Sequence, residues 1–448
     1  MSLDPSANVP PTAPSWLQQR TARYLAARSA ALVRRYGITR ARAKDRVEAV
    51  VEGVAAFGYE LTLPTPGRVI ESDPSFFREL QSLGVELALH GYDHVDFRGL
   101  SRDHARKQLA LAAAAYERNE IDYHGFRCPY LSYDDRLLEL LPAGVRYSSN
   151  RALWWDVPAV TDPEGLSPIV AALKQFYAAE SADAAVSVPS TKRGVVEIPV
   201  SLPHDLLLHD RLRIGADGAR QAWLEILRET HRRGELFNLL FHPESFSLLR
   251  PAMEAVWAEA SSLSPRVWVT RMRDIDEWWR EKASFSTEIT PRSVSFRCTE
   301  RATILVRSLP WATPTRSWSE PYDVLDARTL ELAGPQRPFL GIAPGTPPRV
   351  VDLLAEQGYV LDSSSDYARC DLVIDAALVE LAATEAGLIH RIESSDAPLV
   401  RYWRWPREAR SALCVSGDLD ALTLVDYALR FVRLWQNGRK DARPDQAA

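Results

Sequence analysis

Two aspartates and two histidines follow apolar segments at opposite ends of the 448-residue chain. Asp418 and Asp420 come directly after "SALCVSG", and His90 and His94 stand in "HGYDH" after "VELAL". Imidazole nitrogens and carboxylate oxygens are ligands of zinc and related divalent cations. An i, i+4 spacing predicts that both imidazoles share one face of a helical turn, where they could bind a single metal ion. The histidine pair alone fits chance as well as it fits a metal site.

An arginine and a third histidine occupy similar positions. Arg127 lies in "GFRCPY" and His242 in "LLFHPE", each followed closely by a proline. In isolation, Arg127 could be exposed in a turn and His242 could be a hydrogen-bonded core residue. Asp420 would also suit a helix cap before "ALTLVDYALRF". No one of these features therefore identifies a catalytic site.

The elements around these residues favour a parallel βα barrel. Predicted strands "YELTLP", "VELALH", "YHGFRCPY", "VVEIPVSLP", "LFNLLFHPE" and "RVWVTRM" alternate with helices over some 240 residues. In such barrels the chemistry is carried at the carboxyl ends of the strands. His90 and His242 are expected at such ends, which favours a functional interpretation of both.

The order "HGYDH", "RCPY", "LLFHP" resembles the polysaccharide deacetylases of carbohydrate esterase family 4, whose nodulation-type fold is a distorted (β/α)7 barrel. The resemblance covers roughly residues 38–285, with one strand missing. That family opens with a strand ending in an acidic pair, whereas "RRYGITRA" holds no carboxylate. "ALCVSGDLDALT" resembles the D-x-D variant of the allantoinase-like and peptidoglycan deacetylase branches. We therefore expect a circularly permuted barrel with its first strand at the C-terminus, between its second and last strands.

Four segments follow from this interpretation. Residues 1–15 are expected to be a flexible N-terminus, and 16–287 a deacetylase-type barrel that lacks its first strand. The sequence pattern changes in residues 288–410, which are expected to form a small α/β or β-rich accessory domain inserted before the last barrel strand. Residues 411–448 are expected to supply that strand and a C-terminal helix.

The resemblance also implies a metal centre and a base. It assigns Asp420, His90 and His94 to one divalent metal, most naturally zinc, with cobalt or nickel as substitutes. Asp418 is implied as the general base. Arg127 corresponds to the arginine that keeps this base ionised and oriented.

The remaining implied roles concern the oxyanion and the leaving group. The backbone N–H of Tyr130 is implied as an oxyanion donor, and Leu240 as a wall of the acetyl pocket. His242 is implied as the acid that protonates the leaving amine, which requires a carboxylate partner. "HDLLLHD" offers both Asp205 and Asp210 for that purpose, and Asp205 is the choice made here.

The expected function is removal of an N-acetyl or similar N-acyl group from a carbohydrate or glycoconjugate, that is, hydrolysis of a linear amide bond. One alternative is a small-molecule amidohydrolase of the allantoinase type. A second is a glycosyltransferase that uses D-x-D to bind Mn²⁺ and a nucleotide-sugar, which leaves "HGYDH" and "RCPY" unexplained. A non-catalytic sugar-binding barrel is disfavoured by the complete residue set.

Composition limits partners and location. The net charge of −5 and the pI near 6.1 show no overall excess of positive charge of the kind that binds nucleic acid. No segment approaches the ~18 apolar residues of a membrane span, the N-terminus has no secretory h-region, and four widely spaced cysteines suggest reduced thiols, so a cytoplasmic protein is expected. The basic segment 16–38 predicts a helix docked on the barrel, although peripheral membrane contact stays open. A homodimer also stays open, including one that exchanges its last strand.

Overall fold

The computed structural model describes residues 39–132, 134–161, 165–423 and 426. The predicted flexible N-terminus, the basic segment 16–38 and nearly all of the predicted C-terminal helix lie outside these residues. None of the described helices is long and apolar enough to cross a membrane. All four cysteines are unpaired.

The part of the chain up to residue 283 alternates short strands with helices, as the sequence predicts. Its helices are α1 (Arg40–Ala55), α2 (Gly67–Ser72), α3 (Pro74–Ser82), α4 (Arg102–Arg118), α5 (Asp135–Leu138), α6 (Pro158–Thr161), α7 (Ser167–Phe176), α8 (Ala216–Arg233), α9 (Phe246–Ser262) and α10 (Met272–Ala283). Its strands are β1 (Thr62–Thr65), β2 (Glu86–Leu89), β3 (Gly125–Phe126), β4 (Tyr147–Ser148), β5 (Ala152–Trp154), β6 (Glu180–Ser181), β7 (Ser190–Lys192), β8 (Val195–Glu197), β9 (Val200–Leu202), β10 (Leu236–Phe241) and β11 (Val267–Thr270).

The rest of the described chain adds smaller elements and one long strand. Its strands are β12 (Ser286–Ile289), β13 (Ser293–Arg297), β14 (Ile304–Arg307), β15 (Thr315–Ser319), β16 (Tyr322–Leu325), β17 (Thr329–Glu331), β18 (Arg337–Ile342), β19 (Leu361–Asp362), β20 (Cys370–Ile374), β21 (Leu399–Tyr402) and β22 (Ser411–Gly417). Its helices are α11 (Pro348–Glu356), α12 (Ala376–Ala382) and α13 (Glu385–Glu393).

One large, mostly parallel sheet organises the molecule, so the expected mixed α/β class is confirmed. Its strand order is β6-β5-β9-β10-β22-β1-β2-β3-β4-β8-β7, with β11 also pairing with β22. The late strand β22 is therefore central: it runs parallel to β10 from Ala412 to Gly417, to β11 at its start and to β1 at its end. Strands β10 and β22 are buried at every position, as expected for parallel strands covered on both faces.

The segment "VVEIPVSLP", predicted as one strand, is two strands in the structure. Strand β8 pairs with β4, whereas β9 pairs with β5 and β10. Pro199 lies between them, and its lack of an N–H interrupts the ladder. Because consecutive strands join opposite parts of the strand order, the sheet must curl.

Residues 286–402 form three small sheets. Two are antiparallel, with orders β12-β13-β17 and β15-β16-β14-β21, and the third is parallel, with order β19-β18-β20. Residues 286–402 thus combine antiparallel sheets with a small parallel sheet.

A tryptophan-rich layer joins these small sheets to the large one. Trp278 of α10 donates to the Arg404 carbonyl at 2.7 Å, and Trp405 donates to the Gly234 carbonyl at 2.9 Å. Gly234 has φ of 69°, and a Cβ there would lie 2.4 Å from the Trp403 ring. A side chain at position 234 would therefore separate α8 from this layer.

Candidate active site

The end of β22 brings the two late aspartates to the carboxyl edge of the large sheet. The backbone N–H of Asp418 donates to the Phe241 carbonyl at 2.9 Å, and that of Leu419 donates to the Pro64 carbonyl at 3.0 Å. These bonds hold the acidic loop between the ends of β10 and β1. Both carboxylates consequently emerge beside the residues that follow β2 and β10.

His90 and His94 follow β2 in a bend, so the predicted helical turn is wrong. Gly91 and His94 both have positive φ, 69° and 54°, which takes the backbone out of the right-handed helical region. The bend nevertheless brings the imidazoles together, with ring centroids 4.8 Å apart. The rings meet because of a left-handed backbone, not because of helical spacing.

Asp420 meets both imidazoles. Its Oδ1 lies 2.9 Å from His94 Nε2 and 3.6 Å from His90 Nε2, and the side chains are at most 11% exposed. Burial alone would raise the pKa of Asp420, but the charge of His94 and the proximity of the His90 imidazole hold it well below its usual range. The carboxylate is thus ionised, and the three ligand atoms lie within 4.8 Å of one another.

The same three residues fit a divalent metal ion. His90 Nδ1 lies 2.8 Å from the Arg127 carbonyl, which can only accept, so this nitrogen carries the proton and Nε2 keeps its lone pair. Neither His90 Nε2 nor Asp420 Oδ1 has a hydrogen-bond partner in the part of the chain that the structure describes. Buried polar atoms without partners are costly. Two imidazole nitrogens and one carboxylate oxygen are a donor set that zinc accepts.

Arg127 and Asp418 form a buried ion pair beside this cluster. Arg127 Nη1 donates to Asp418 Oδ1 at 2.9 Å and to Ser416 Oγ at 3.0 Å. The opposite side of the guanidinium donates to the carbonyl and hydroxyl of Ser149. Asp418 Oδ2 lies 3.9 Å from His90 Nε2. Arg127 therefore fixes one carboxylate oxygen of Asp418 and leaves the other facing the cluster.

Backbone strain is concentrated where Tyr130 faces His94. Tyr130 has φ 60° and ψ 17°, Leu131 has φ 51°, and the Tyr130 ring centroid is 5.1 Å from that of His94. Left-handed non-glycine residues cost free energy and cluster at functional sites. Two such residues in succession therefore lie beside a third, His94, at this edge of the sheet.

His242 lies at the end of β10 with Asp205 as its partner. Asp205 is fully buried, and it accepts from His242 Nδ1 and from the His242 backbone N–H, both at 2.8 Å. Asp210 is 45% exposed and lies near His209 instead. The structure therefore brings Asp205, not Asp210, to His242.

The charges of this pair support each other. Burial favours neutral His242, but the charge of Asp205 and its hydrogen bond outweigh burial and raise the His242 pKa to about 9. Burial likewise opposes the Asp205 charge, yet His242 and His204 hold the pKa of Asp205 far below its usual range. An imidazolium next to a carboxylate is the resulting state near neutral pH.

His204 and Tyr177 are two residues that the motifs did not identify. His204 Nδ1 lies 3.3 Å from Asp205 Oδ1, and Tyr177 Oη lies 3.3 Å from His204 Nε2. The adjacency of His204 to Asp205 in the sequence was a usable signal, whereas Tyr177, just past α7, had none. His204, Asp205 and His242 also offer three ligand atoms within 4.8 Å, but these atoms hydrogen-bond to one another.

Leu240 and a narrow pocket complete the surroundings. Leu240 of β10 is 2% exposed and pairs in register with Ser416, within the large core. The pocket opens beside Asp420. It is lined by Pro66, Arg68, Val69, Tyr92, Asp93, Asp420, Ala421 and Asp426.

Comparison with known proteins confirms the family resemblance for one part of the chain. Residues 41–147 match the family model described as polysaccharide deacetylase. The matched range includes His90, His94, Arg127 and Tyr130, and it ends before Asp205, His242 and β22. A search of curated proteins finds no match.

The solved structures to which this chain is similar share little sequence with it. A candidate polysaccharide deacetylase from Mycobacterium smegmatis is 21% identical, with 62% of this chain and 90% of that chain covered and a TM-score of 0.43. A CE4 family pseudoenzyme from Bacillus anthracis is 20% identical over 22% and 35% of the two chains, with a TM-score of 0.21. An allantoinase is 15% identical over 52% and 72%, with a TM-score of 0.41.

Proposed function

We propose that this chain, whose residues 41–147 carry the polysaccharide deacetylase match, is a metal-dependent hydrolase. It removes an N-acetyl or similar N-acyl group from a carbohydrate or glycoconjugate. One observation carries the proposal: Asp420, from the last described strand end, lies 2.9 Å from His94, which follows β2. The late aspartates and the early imidazoles thus complete one buried cluster.

Asp420, His90 and His94 would hold the metal, with zinc as the first choice and cobalt or nickel as substitutes. The bound ion would polarise the amide carbonyl and lower the pKa of water towards ~7. The proton on His90 Nδ1, donated to the Arg127 carbonyl, keeps Nε2 available as a ligand. The Arg127 carbonyl therefore orients the His90 ring so that Nε2 can bind the metal.

Asp418 would act as the general base. Arg127 donates to its Oδ1, so the buried carboxylate has a cationic partner on one side. The second oxygen, Oδ2, faces the His90 and Asp420 cluster. A base in this position takes a proton from the attacking water without having to be a ligand itself.

His242 would protonate the leaving amine through Nε2, because its Nδ1 is engaged by Asp205. The protonated ring is the form that this role requires, and Asp205 stabilises it. The backbone N–H of Tyr130 would donate to the oxyanion from the strained turn opposite His94, and Leu240 would support the acyl pocket from the core.

We also propose that the barrel is a seven-stranded, circularly permuted one. The central place of β22 between β10 and β1 supports a first strand moved to the end of the chain. The continuous segment that contains β8 and β9 supports closure, because it links β4 to β10. The corresponding boundaries are 16–287 for the incomplete barrel, 288–410 for the accessory domain and 411–448 for the completing segment, after a flexible 1–15.

A small-molecule amidohydrolase of the allantoinase type is the second candidate. It is favoured by the narrowness of the pocket beside Asp420, where Arg68 lies over the Tyr92 ring and binds Asp93. The glycosyltransferase alternative is disfavoured, because Asp418 is occupied by Arg127. Cytoplasmic location and homodimerisation stay predictions, which cell fractionation and light scattering would test.

The decisive experiment combines metal analysis of the purified chain with two activity assays, acetate release from a panel of N-acetylated sugars and ring-opening of allantoin-like amides. We expect about one bound divalent ion per chain, acetate release that a chelator abolishes, and recovery when zinc is added. Ring-opening of allantoin-like substrates without acetate release would select the second candidate. If the chain binds no zinc when zinc is supplied and hydrolyses neither set of substrates, both candidate functions are refuted.

A further inference from the structure

Asp205 is shared between two imidazoles, of which the proposed chemistry uses only His242. Its Oδ1 lies 2.8 Å from His242 Nδ1 and 3.3 Å from His204 Nδ1. All three residues are nearly inaccessible to solvent, and the two rings are 5.5 Å apart. The second imidazole therefore affects how much of the Asp205 charge reaches His242.

The proton on His204 can be assigned from its neighbours. Nδ1 faces Asp205 Oδ1, an acceptor, and also the Leu206 backbone N–H at 3.2 Å, a donor. A carboxylate is the stronger partner, because charge-assisted hydrogen bonds are about twice as strong as neutral ones. The proton consequently lies on Nδ1, and the lone pair of Nε2 is left to accept from the Tyr177 hydroxyl at 3.3 Å.

Tyr177 is held at this position by contacts that reach across the site. It follows α7, whose last residue, Phe176, lies under the Arg98 guanidinium at 4.1 Å. Arg98 also donates to the Phe176 carbonyl at 2.6 Å and is paired with Asp96. Asp96 in turn accepts from Ser132, in the turn that contains Tyr130. The end of α7 is thereby tied to the loops that carry His94 and Tyr130.

We propose that His204, supported by Tyr177, is a positioning residue that holds Asp205 in place and withdraws part of its charge from His242. This inference rests on the proposed function, since it deepens the role of His242 as the acid. An acid that is too strongly paired with its carboxylate gives up its proton reluctantly. The N–H of His204 limits that pairing and keeps His242 effective as a donor to the leaving amine.

Other charged groups also face these rings. His242 is influenced by Asp205, Asp420 and Glu244, and His204 by Asp205, His242 and Asp418. Around Tyr177 lie Arg98, Arg211 and Tyr130. Substitutions at positions 177 and 204 leave all of the other charged groups in place. The effect of His204 and Tyr177 on His242 can therefore be measured separately.

The test uses His204→Leu, His204→Asn and Tyr177→Phe in the full chain. Asparagine keeps an N–H close to the position of Nδ1, leucine removes it, and Tyr177→Phe removes a single hydroxyl. The chain supplies a matched control in His209→Leu, because His209 precedes Asp210 as His204 precedes Asp205, but on the surface. Nitrogen-15 spectra of histidine-labelled protein report the tautomer of His204 and the pKa of His242 without any substrate.

In the wild type we expect the His204 proton on Nδ1. His204→Leu should raise the His242 pKa by about one unit, since one hydrogen bond to the carboxylate is lost. It should also lower kcat about tenfold with little change in KM, and move the alkaline limb of the pH profile upward. His204→Asn should recover most of these changes, Tyr177→Phe should show smaller changes in the same direction, and His209→Leu should show none.

An Nε2 proton on wild-type His204 would overturn the assignment. An unchanged His242 pKa in Tyr177→Phe and His204→Leu would overturn the positioning role, and Tyr177→Phe decides alone if His204→Leu does not fold. These spectra remain decisive if no acetate is released from N-acetylated sugars by any variant. In that case the proposed reaction is refuted, while the effect of His204 and Tyr177 on the pKa of His242 is still tested.

Discussion

Arg127 and Asp418 are 291 positions apart in sequence, yet they form a buried ion pair with Nη1 and Oδ1 2.9 Å apart. Arg127 belongs to a turn after β3, and Asp418 follows β22. The pair therefore joins the early and late parts of the chain at the proposed catalytic centre.

The ion pair predicts a large stability effect. Arg127→Met leaves Asp418 buried and uncompensated, so the free energy of unfolding should fall by about 3–5 kcal/mol, measured by urea denaturation. Adding Asp418→Asn in the same chain should recover most of this loss, because the unpaired charge is gone. Equal losses in the single and double variants would contradict the interpretation of the pair.

Metal binding and proton transfer should separate in point variants. Asp420→Ala and His94→Ala should each lose bound metal, measured by elemental analysis, because each removes a ligand atom. Asp418→Asn should keep the metal and lose acetate release by about 10²–10⁴-fold. Asp210→Asn, with its exposed side chain, is the control and should keep both properties. Full activity in Asp418→Asn would remove the base assignment.

The central strand predicts a strict requirement for the end of the chain. A chain ending at Glu408 lacks β22, so β10 and β1 lose their shared neighbour and expose two hydrogen-bonding edges. We expect aggregation, measured by size-exclusion chromatography. A peptide of residues 409–448 supplied in trans is the matching rescue, and a monomeric, active truncated chain would refute the permutation.

Stability should fall between pH 5 and 7 because of Glu86. Burial raises its pKa from 4.5 to about 7, although hydrogen bonds from Tyr147 and Thr62 act in the opposite direction. The folded state then binds a proton that the unfolded state releases above pH 4.5, so the contribution of Glu86 declines as pH rises towards 7 and is constant above it.

Glu86→Gln keeps a neutral side chain at all pH values. Relative to the wild type, it should gain about 1–3 kcal/mol at pH 8 and little at pH 5, measured by denaturant unfolding. A difference that does not depend on pH would show that Glu86 is ionised throughout.

Sequence reasoning identified the residues that depend on strand ends. His90, His242 and Asp418 each follow a continuous apolar strand, and parallel strands bring such residues to one edge. It did not predict the bend at Gly91 and His94, because an i, i+4 spacing carries no information on the sign of φ. Tyr177 escaped detection because only the tertiary placement of α7, fixed by Arg98, brings it to His204.

The location of β22 also has a consequence for biosynthesis. A ribosome makes the neighbours β1 and β10 well before β22, so the position between them stays unfilled while residues 242–410 are synthesised. Local folding of the preceding helices cannot fill it, and His90 and His94 have neither Asp418 nor Asp420 beside them until those residues are added. We therefore expect the central sheet to be completed only after β22 has been made, and the partly synthesised chain to be the species that most needs a chaperone.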